Sequence, residues 1–304
     1  MLKDALRSRY SGALPGDERV FRRVLELCHW YLGARLGDAD AELRLASTND
    51  AVYWQQLSEV LVANELARCD LKPVRRPDSP DFLIEHQGRR IWIEVTCPEP
   101  KGIPADWLAR TNGAISVPHE AITLRWTAAI KEKFEKLTGR PNQPSTGYLA
   151  RGVVREGDAY VIAVNGRLLR DCWPQIEGIS QLPFAVEVTL AVGAYTITIH
   201  PDTLERLAGE HPHRASIQNH NGAAVPSATF FDPRYAPVSA VWAMDFDLNR
   251  LFGASRPSIL VHNHAAQSSV PRSLLPVQSE YHAVVGNAEY SVTRQDGRLS
   301  NSAG

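Results

Sequence analysis

Two carboxylates flank a stretch of the chain whose composition predicts a β-hairpin. Asp81 follows Pro80 at the mouth of the first predicted strand, and Glu94 stands near the end of the second. Paired antiparallel strands can bring two such side chains together at one end of a sheet. Mg²⁺ is held through one or two carboxylates together with waters, so the pair predicts a site for a hard cation. In the alternative interpretation, Asp81 is a turn residue and Glu94 belongs to a solvated face.

The residues between the two acids have the pattern of a hairpin. Residues 82–85 form a short apolar strand, and the turn over 86–88 contains Gly88, where a positive φ is easiest. The second strand, 91–96, is rich in β-branched residues and alternates in polarity. One face of it carries Ile91, Ile93 and Val95, and the other carries Trp92, Glu94 and Thr96. The core positions expected to be buried are Ile91, Ile93, Ile130, Phe134 and Val161.

Helices and a strand predicted around the hairpin must position further polar residues. Asn49 and Asp50 cap a helix over about 51–68, in which Glu59 falls between apolar positions. A second helix over about 120–137 is the most basic helix predicted, with Lys133 at the margin of its apolar face. The segment 121–140 holds five basic residues against two acidic ones: Arg125, Lys131, Lys133, Lys136 and Arg140. Residues 160–165 predict a short buried strand.

The remaining patterns predict a mixed architecture. Residues 16–48 are expected to be helical with Asp17 as a cap, and residues 71–76 to form a short strand in which Arg75 is solvated. Residues 184–190 and 195–199 predict a hairpin, followed by a helix over 202–208 and strands over 240–246 and 258–262. The fold class expected is α/β or α+β, with a central mixed β-sheet flanked by helices. The predicted divisions are a helical segment (1–48), an α/β core (49–166), a strand-rich elaboration of the same domain (167–292) and a frayed tail (293–304).

Composition narrows the class of protein. The chain has 304 residues, is 44% hydrophobic and 22% charged, and carries a formal net charge of −1. This balance is typical of a soluble globular protein and argues against one that coats nucleic acid indiscriminately, although a local basic cleft stays possible. Because the chain has no long apolar run, we expect it to have no signal peptide and no membrane span. The four cysteines lack CxxC spacing, which favours a reducing cytoplasm: Cys28, Cys69, Cys97 and Cys172.

The order of these features resembles the PD-(D/E)XK nuclease superfamily. The matching features are a helix with Glu59, then Pro80-Asp81, then Glu94-Val95-Thr96, then a basic helix and an apolar strand. The resemblance covers about residues 50–166 and implies a restriction-endonuclease-like core. Residues 122–165 also resemble the corresponding part of a group of uncharacterised bacterial proteins. In that group, stretches like 238–241 and 261–263 recur near the C-terminus.

The resemblance implies a metal site and a chemistry. Asp81 and Glu94, with the backbone carbonyl of Val95, would bind a divalent cation, Mg²⁺ or Mn²⁺, and Glu59 would assist through water or the metal. The reaction implied is hydrolysis of a phosphodiester bond, with DNA as a more favoured substrate than RNA. The chain departs from the family at Thr96, where the family normally has a lysine, and Thr cannot supply positive charge.

We favour the explanation that a basic side chain from elsewhere in the chain replaces the missing lysine at Thr96, because both acidic positions remain. The main candidates for this catalytic side chain are Lys133 and Lys136. Lys131, Arg125 and Lys101 are further candidates that could reach the acids. The basic helix would bind nucleic acid through Arg125, Lys131, Lys133 and Lys136. Two alternatives stay open: a catalytically inactive member of the fold that binds nucleic acid, and a protein-interaction module.

Two other groups of residues invite a metal interpretation. His262-Asn263-His264 has alternate histidines, but no carboxylate is spaced with them, so hydrogen bonding in a loop is favoured. Asp245-Phe246-Asp247 is either a second metal site or a capping turn between a strand and a helix, and the turn is favoured.

Overall fold

The computed structural model describes residues 1–10, 12, 16–109, 116–170, 177–219, 221–227, 229–287 and 289–299. The α-helices are α1 (Leu2–Tyr10), α2 (Asp17–Gly33), α3 (Ala41–Leu45), α4 (Asp50–Arg68), α5 (Ala105–Leu108), α6 (His119–Thr138) and α7 (Phe184–Leu190). Short 3-10 helices are Pro144–Thr146, Gly166–Leu169, Thr229–Phe231, Pro233–Tyr235 and Leu248–Phe252. The strands are β1 (Phe82–His86), β2 (Arg89–Thr96), β3 (Ala159–Asn165), β4 (Thr196–Ile199), β5 (Arg206–Glu210), β6 (Ser216–Gln218), β7 (Ala224–Pro226), β8 (Ala240–Met244), β9 (Ser258–His262), β10 (Ser279–Val285) and β11 (Tyr290–Asp296).

A seven-stranded mixed sheet organises the chain, in the order β1-β2-β3-β8-β9-β10-β11. The neighbours β2, β3 and β8 run parallel, as do β9 and β10. The pairs β1–β2, β8–β9 and β10–β11 are antiparallel. Two small antiparallel ribbons, β4–β5 and β6–β7, lie outside this sheet. The predicted fold class, α/β with a central mixed sheet, flanking helices and a strand-rich C-terminal part, is confirmed.

The sheet separates two apolar cores. One face packs against α1 to α4, and its strand residues include Ile93, Val161 and Trp242. The other face packs against α6 and α7, and its strand residues include Trp92 and Ile162. Both faces of the central strands are therefore buried, which is why their sequences are continuous apolar runs. Of the predicted core positions, Ile91, Ile93, Ile130 and Val161 are fully buried; Phe134 is partly buried and stacks on Tyr235.

The predicted hairpin and the helix before it are present. The register pairs Phe82 with Ile93, and the two-residue turn consists of Gln87 and Gly88. Both turn residues have positive φ (49° and 76°), as the tight turn of a twisted hairpin requires. Helix α4 begins after Asn49, whose side chain accepts hydrogen bonds from the first backbone N–H groups of the helix. The predictions of helix α6 and of strands β3, β8 and β9 are also confirmed.

The predicted second hairpin is wrong. Residues 184–190 form helix α7 rather than a strand, although the segment is rich in β-branched residues. Every one of its side chains is buried against the core around α6, so tertiary packing outweighs local strand preference here. Strand β4 pairs instead with β5, which replaces the predicted helix 202–208. His200 accepts hydrogen bonds from the backbone of Asp202 and Thr203, which makes this segment the turn of that ribbon.

Three smaller predictions also need correction. Residues 16–48 form two helices, α2 and α3, because the chain turns at Arg35, whose φ is positive; Asp17 lies in the first turn of α2 and makes no cap. Residues 71–76 contain only an isolated bridge from Val74 to Leu83. Residues 293–296 are not frayed, since they belong to β11; residues 300–304 lie outside the described ranges.

Candidate active site

A cleft of about 520 Å³ opens where β2 ends, between α4 and α6. The end of a sheet strand is a common place for a site, because the chain there leaves the packed core and exposes polar groups. The cleft contains most of the predicted site. Its lining includes Glu59, Asp81, Glu94, Val95, Thr96, Lys101, Arg125, Lys133 and Lys136.

The two acids of the hairpin meet in this cleft. The register that pairs Phe82 with Ile93 makes Asp81 and Glu94 neighbours across the hairpin. Asp81 Oδ2 accepts a hydrogen bond of 2.7 Å from the Val95 backbone N–H, which fixes the carboxylate against β2. Both side chains are buried, with Glu94 only 1% exposed. Buried carboxylates are costly unless they are paired, so their surroundings decide what the pair can do.

Two lysines of α6 reach Glu94 from the neighbouring layer. Lys136 Nζ lies 2.8 Å and Lys133 Nζ 3.3 Å from Glu94 Oε1. The three-residue spacing places both amines on the same side of the helix. Lys133 is buried inside the site (5% exposed) rather than at the margin of the helix as predicted. Burial opposes the charge of Lys136, but the carboxylate of Glu94 outweighs it and raises the pKa of Lys136, which stays protonated.

A second ionic group joins Glu59 to Asp81. Glu59 Oε2 accepts hydrogen bonds from Tyr31 (3.1 Å), Gln56 (2.9 Å) and Arg75 (3.3 Å). The Arg75 guanidinium also lies 3.6 Å from Asp81 Oδ1. Burial raises the pKa of Glu59, although Arg75 and the hydrogen bonds oppose this effect. Glu59 is therefore linked to Asp81 through the Arg75 guanidinium, which contacts both carboxylates.

Asp81 is the acid whose charge is least well compensated. Burial raises its pKa well above the ordinary value, and the nearby carboxylates of Glu59 and Glu94 raise it further. Lys133 and the Val95 N–H lower the pKa of Asp81, but their effect is smaller than that of burial and the two carboxylates. An additional cation beside Asp81 would thus be stabilising. The donor set is made of oxygens, which is the kind Mg²⁺ and Mn²⁺ prefer, so the residues fit a divalent ion.

The end of β2 is held in place by helix α4. The Gln55 side chain donates to the Val95 carbonyl (3.3 Å) and accepts from the Cys97 backbone N–H (2.8 Å). The carbonyl of Val95, a predicted metal ligand, thus already has a hydrogen-bond partner. Thr96 lines the cleft and is buried, and it contributes no charge there.

The predicted nucleic-acid-binding residues do not all lie together. Arg125, Lys133 and Lys136 line the cleft, and the Arg125 guanidinium donates to the Glu99 carbonyl at its rim (2.8 Å). Lys131 is 67% exposed, lies 3.9 Å from Glu135, and is not among the residues that line the cleft. It is therefore separated from the acids, because α6 turns it toward solvent.

Among the cleft residues that were not predicted, three contact the acids or the end of β2. Arg75 lies between Glu59 and Asp81, whereas its place in the sequence predicted a solvated surface. The Tyr148 hydroxyl donates to Glu94 Oε2 at 3.4 Å, and burial raises the pKa of this tyrosine, which keeps the proton on the hydroxyl. Gln55 holds the end of β2. Only the position of Gln55, one helical turn before Glu59 on the same helix, gave a signal in the sequence.

The other two groups have different surroundings. Asp247 accepts from the Asn249 N–H and so makes the predicted capping turn, whereas Asp245 is paired with Arg170. The Asn263 side chain donates to the carbonyls of Tyr235 and Val238, which is the predicted loop hydrogen bonding.

No protein-family model, no curated protein and no solved structure matches the chain. Within the described ranges, no helix combines the length and apolar composition needed to cross a bilayer. The fold and the geometry of the cleft are therefore the observations from which a function can be proposed.

Proposed function

We propose that this protein is a metal-dependent nuclease that hydrolyses phosphodiester bonds, with DNA as a more favoured substrate than RNA. The observation that carries the proposal is the meeting of Asp81 and Glu94 with Lys133 and Lys136 in one cleft. Acidic oxygens that can hold a divalent ion, beside cations that can face a phosphate, are the two requirements of this chemistry.

Each side chain has a distinct task in this proposal. Asp81 and Glu94 would hold the ion, and a bound Mg²⁺ or Mn²⁺ supplies the Lewis-acid chemistry of phosphodiester hydrolysis. Lys133 and Lys136 place positive charge where negative charge develops on phosphorus. Arg75 orients Asp81 and keeps Glu59 in the network. Thr96 then needs no charge, because α6 brings its lysines to the same place.

The rim of the cleft suits a charged polymer. Lys101 and Arg125 line it along with the two lysines of the site. Contacts between such side chains and phosphates supply most of the sequence-independent affinity for nucleic acid. The cleft lining holds six acidic and six basic side chains, so a bound divalent ion would add the net positive charge that favours a phosphate.

The decisive experiment is a Mg²⁺ or Mn²⁺ titration of the wild-type protein and the Asp81→Ala variant. Cleavage of single- and double-stranded DNA and RNA is followed in the same samples. We expect metal-dependent cleavage in the wild type and its loss in the variant. Glu85→Ala is the matched control, because Glu85 belongs to the same hairpin but is 65% exposed and lies outside the cleft. Equal metal affinity in wild type and Asp81→Ala would refute the site.

A second candidate is a catalytically inactive relative that binds nucleic acid. It is favoured by one observation, which is that Glu94 already has two lysine partners that could compete with a metal. Binding of DNA or RNA without cleavage, at saturating Mg²⁺ and Mn²⁺, would support this candidate over the nuclease.

A further inference from the structure

A second polar cluster lies at the opposite end of the sheet, on β9, β10 and β11. The parallel register of β9 and β10 pairs Val261 with Tyr281, so His262 and His282 are the next neighbours along it. Glu280 is two residues before His282 and shares its face, because side chains alternate along a strand. The antiparallel register places Gln295 of β11 directly opposite Glu280. Three strands thus present one histidine, a glutamate with a second histidine, and an amide to the same spot.

The distances within this cluster are those of a metal-ligand set. His262 Nε2 lies 3.0 Å and His282 Nε2 lies 3.8 Å from Glu280 Oε2. All three ligand atoms lie within 4.8 Å of one another. A tetrahedral zinc ion with bonds of about 2.0–2.1 Å requires ligand atoms about 3.4 Å apart, which these separations bracket. The imidazole rings are stacked, at 14° with centroids 4.2 Å apart, and each ring presents its Nε2 to Glu280 Oε2.

We propose that His262, Glu280 and His282 form a zinc site, distinct from the cleft at the other end of the sheet. Two imidazoles and one carboxylate suit Zn²⁺ far better than Mg²⁺, which prefers oxygen ligands alone. The sequence alone shows no carboxylate spaced with His262. The missing acid comes from β10, and the second histidine is His282 rather than His264, which lies against Phe231.

The surroundings of the cluster hold the ligands in position. The Ser273 backbone N–H donates to Glu280 Oε1 (2.7 Å), which leaves Oε2 directed at the two histidines. Outer hydrogen bonds of this kind orient metal ligands and raise their affinity. The Gln295 amide lies 3.2 Å from Glu280 Oε2 and 2.9 Å from His282 Nε2, so it occupies the side from which a fourth ligand would approach. A water that displaces the amide from this position would complete the four ligands, and Gln295 would then hydrogen-bond to that water.

The position of the cluster indicates a structural role for the ion. His262 is the last residue of β9, and the chain then leaves the sheet for residues 263–278 before it returns as β10. An ion bound by both strands would close this loop and fix the parallel pairing of β9 with β10. Binding to the folded state alone stabilises it, so zinc is expected to raise the melting temperature.

The test is a zinc titration of the full chain after removal of metal with a chelator. We expect one saturable site per chain, a higher melting temperature with zinc, and X-ray absorption that shows two imidazole nitrogens on the ion. His282→Gln should abolish saturable binding; its side chain is only partly buried, so this variant is expected to fold. Gln295→Ala should weaken binding by about tenfold, as outer-shell changes do.

Two controls separate this site from others. His213→Gln removes an exposed histidine outside the cluster and should bind zinc as the wild type does. Asp81→Ala should likewise keep zinc binding while it loses Mg²⁺, so the two proposals fail independently. The zinc proposal is overturned by the absence of saturable binding in the wild type, or by unchanged affinity in His282→Gln.

Discussion

Two ionic clusters lie at the carboxyl ends of the parallel strands β2 and β8, which β3 separates, and they differ in how their charges are balanced. Beyond β8, Arg170 donates to both oxygens of Asp245, with 2.6 Å between Nη2 and Oδ1, and also reaches Asp247. Asp247 in turn accepts from Arg256 at 2.8 Å. Two acids and two arginines are thus joined, and the Arg170–Asp245 pair has the bidentate fork geometry of a strong ion pair. At the end of β2, three acids are packed beside one another, and their cations are shared.

The two clusters therefore shift carboxyl pKa values in opposite directions. Burial alone would raise the pKa of Asp247, but Arg256 and Arg170 outweigh it and lower the value. Burial, Glu59 and Glu94 together raise the pKa of Asp81. A cluster in which each acid has its own arginine is a structural element, whereas crowded acids in a cleft can accept a further cation. Perturbed carboxyls of the second kind are typical of functional sites.

The largest effect should come from the balanced cluster. Arg170→Met leaves Asp245 buried without its fork partner and should lower the free energy of unfolding by about 3–5 kcal/mol, the usual cost of breaking a buried ion pair. Urea denaturation measures this loss. Arg256→Met is the control, because Arg256 is 16% exposed, and it should cost about 1 kcal/mol. Equal losses in the two variants would show that the Arg170 fork is not the structural centre of the cluster.

The next effect should appear in turnover. Lys133→Met removes one of the two charges beside Glu94 and should slow cleavage about a hundredfold, comparable to the loss of one stabilising donor. Stability should change less than turnover, because Lys136 still pairs with Glu94. Single-turnover cleavage at saturating metal is the measurement. Lys131→Met on the same helix should cleave as the wild type does; an equal fall in both variants would assign the effect to the overall charge of α6.

A smaller effect should be seen in the pH dependence of stability. The pKa of Asp81 is raised in the folded state, so the folded protein binds a proton that the unfolded chain releases. This contribution is complete below the ordinary carboxyl pKa of 3.8 and is lost as the pH rises through the raised value. Asp81→Asn should therefore stabilise the metal-free protein at neutral pH by on the order of 1 kcal/mol.

Urea denaturation in a chelator at about pH 5 and about pH 8 tests this sign. Stability of the wild type should decline more between these values than that of Asp81→Asn. Glu85→Gln, an exposed acid of the same hairpin, should follow the wild type. A steeper decline in Asp81→Asn than in the wild type would mean that Asp81 is well compensated and resembles Asp247 after all.

The smallest effect should concern substrate affinity. Arg125 lies at the rim of the cleft and not at its acids, so Arg125→Ala should weaken nucleic-acid binding by a few fold. The slope of log affinity against log salt should fall by about one, the value for a single lost phosphate contact. An unchanged slope would place the bound strand away from this rim.

The sequence predicted the elements whose structure depends on residues that are close together in the chain. The hairpin, its tight turn and the cap of α4 depend on neighbouring residues, and all three were predicted. Segment 184–190 was not, because its helical state depends on burial among distant elements. The acids Asp81 and Glu94 could be placed together from strand pairing alone. Arg75 and Tyr148 could not, because the direction of a long side chain is set by the packed structure and not by its position in the chain.

The same distinction applies to the zinc ligands. Two histidines at alternate positions, His262 and His264, drew attention in the sequence, and only the first belongs to the cluster. Glu280 and His282 join it through a parallel pairing, for which adjacent positions in the chain give no register. Residues that meet across parallel strands are separated by a connecting segment, which hides the constellation from a search for spaced motifs.

The hairpin also has a consequence for how the chain folds. Asp81 and Val95 are 14 residues apart along the chain, whereas Lys136 and Glu94 are 42 apart and Arg170 and Asp245 are 75 apart. Short loops close at a smaller entropic cost, so contacts between near neighbours form earlier during folding. We therefore expect Asp81 and Glu94 to meet during refolding before the lysines of α6 reach them, while the repulsion between the two acids is unrelieved. Divalent cations in the refolding buffer should therefore accelerate the step at which the hairpin docks, even before the cleft exists.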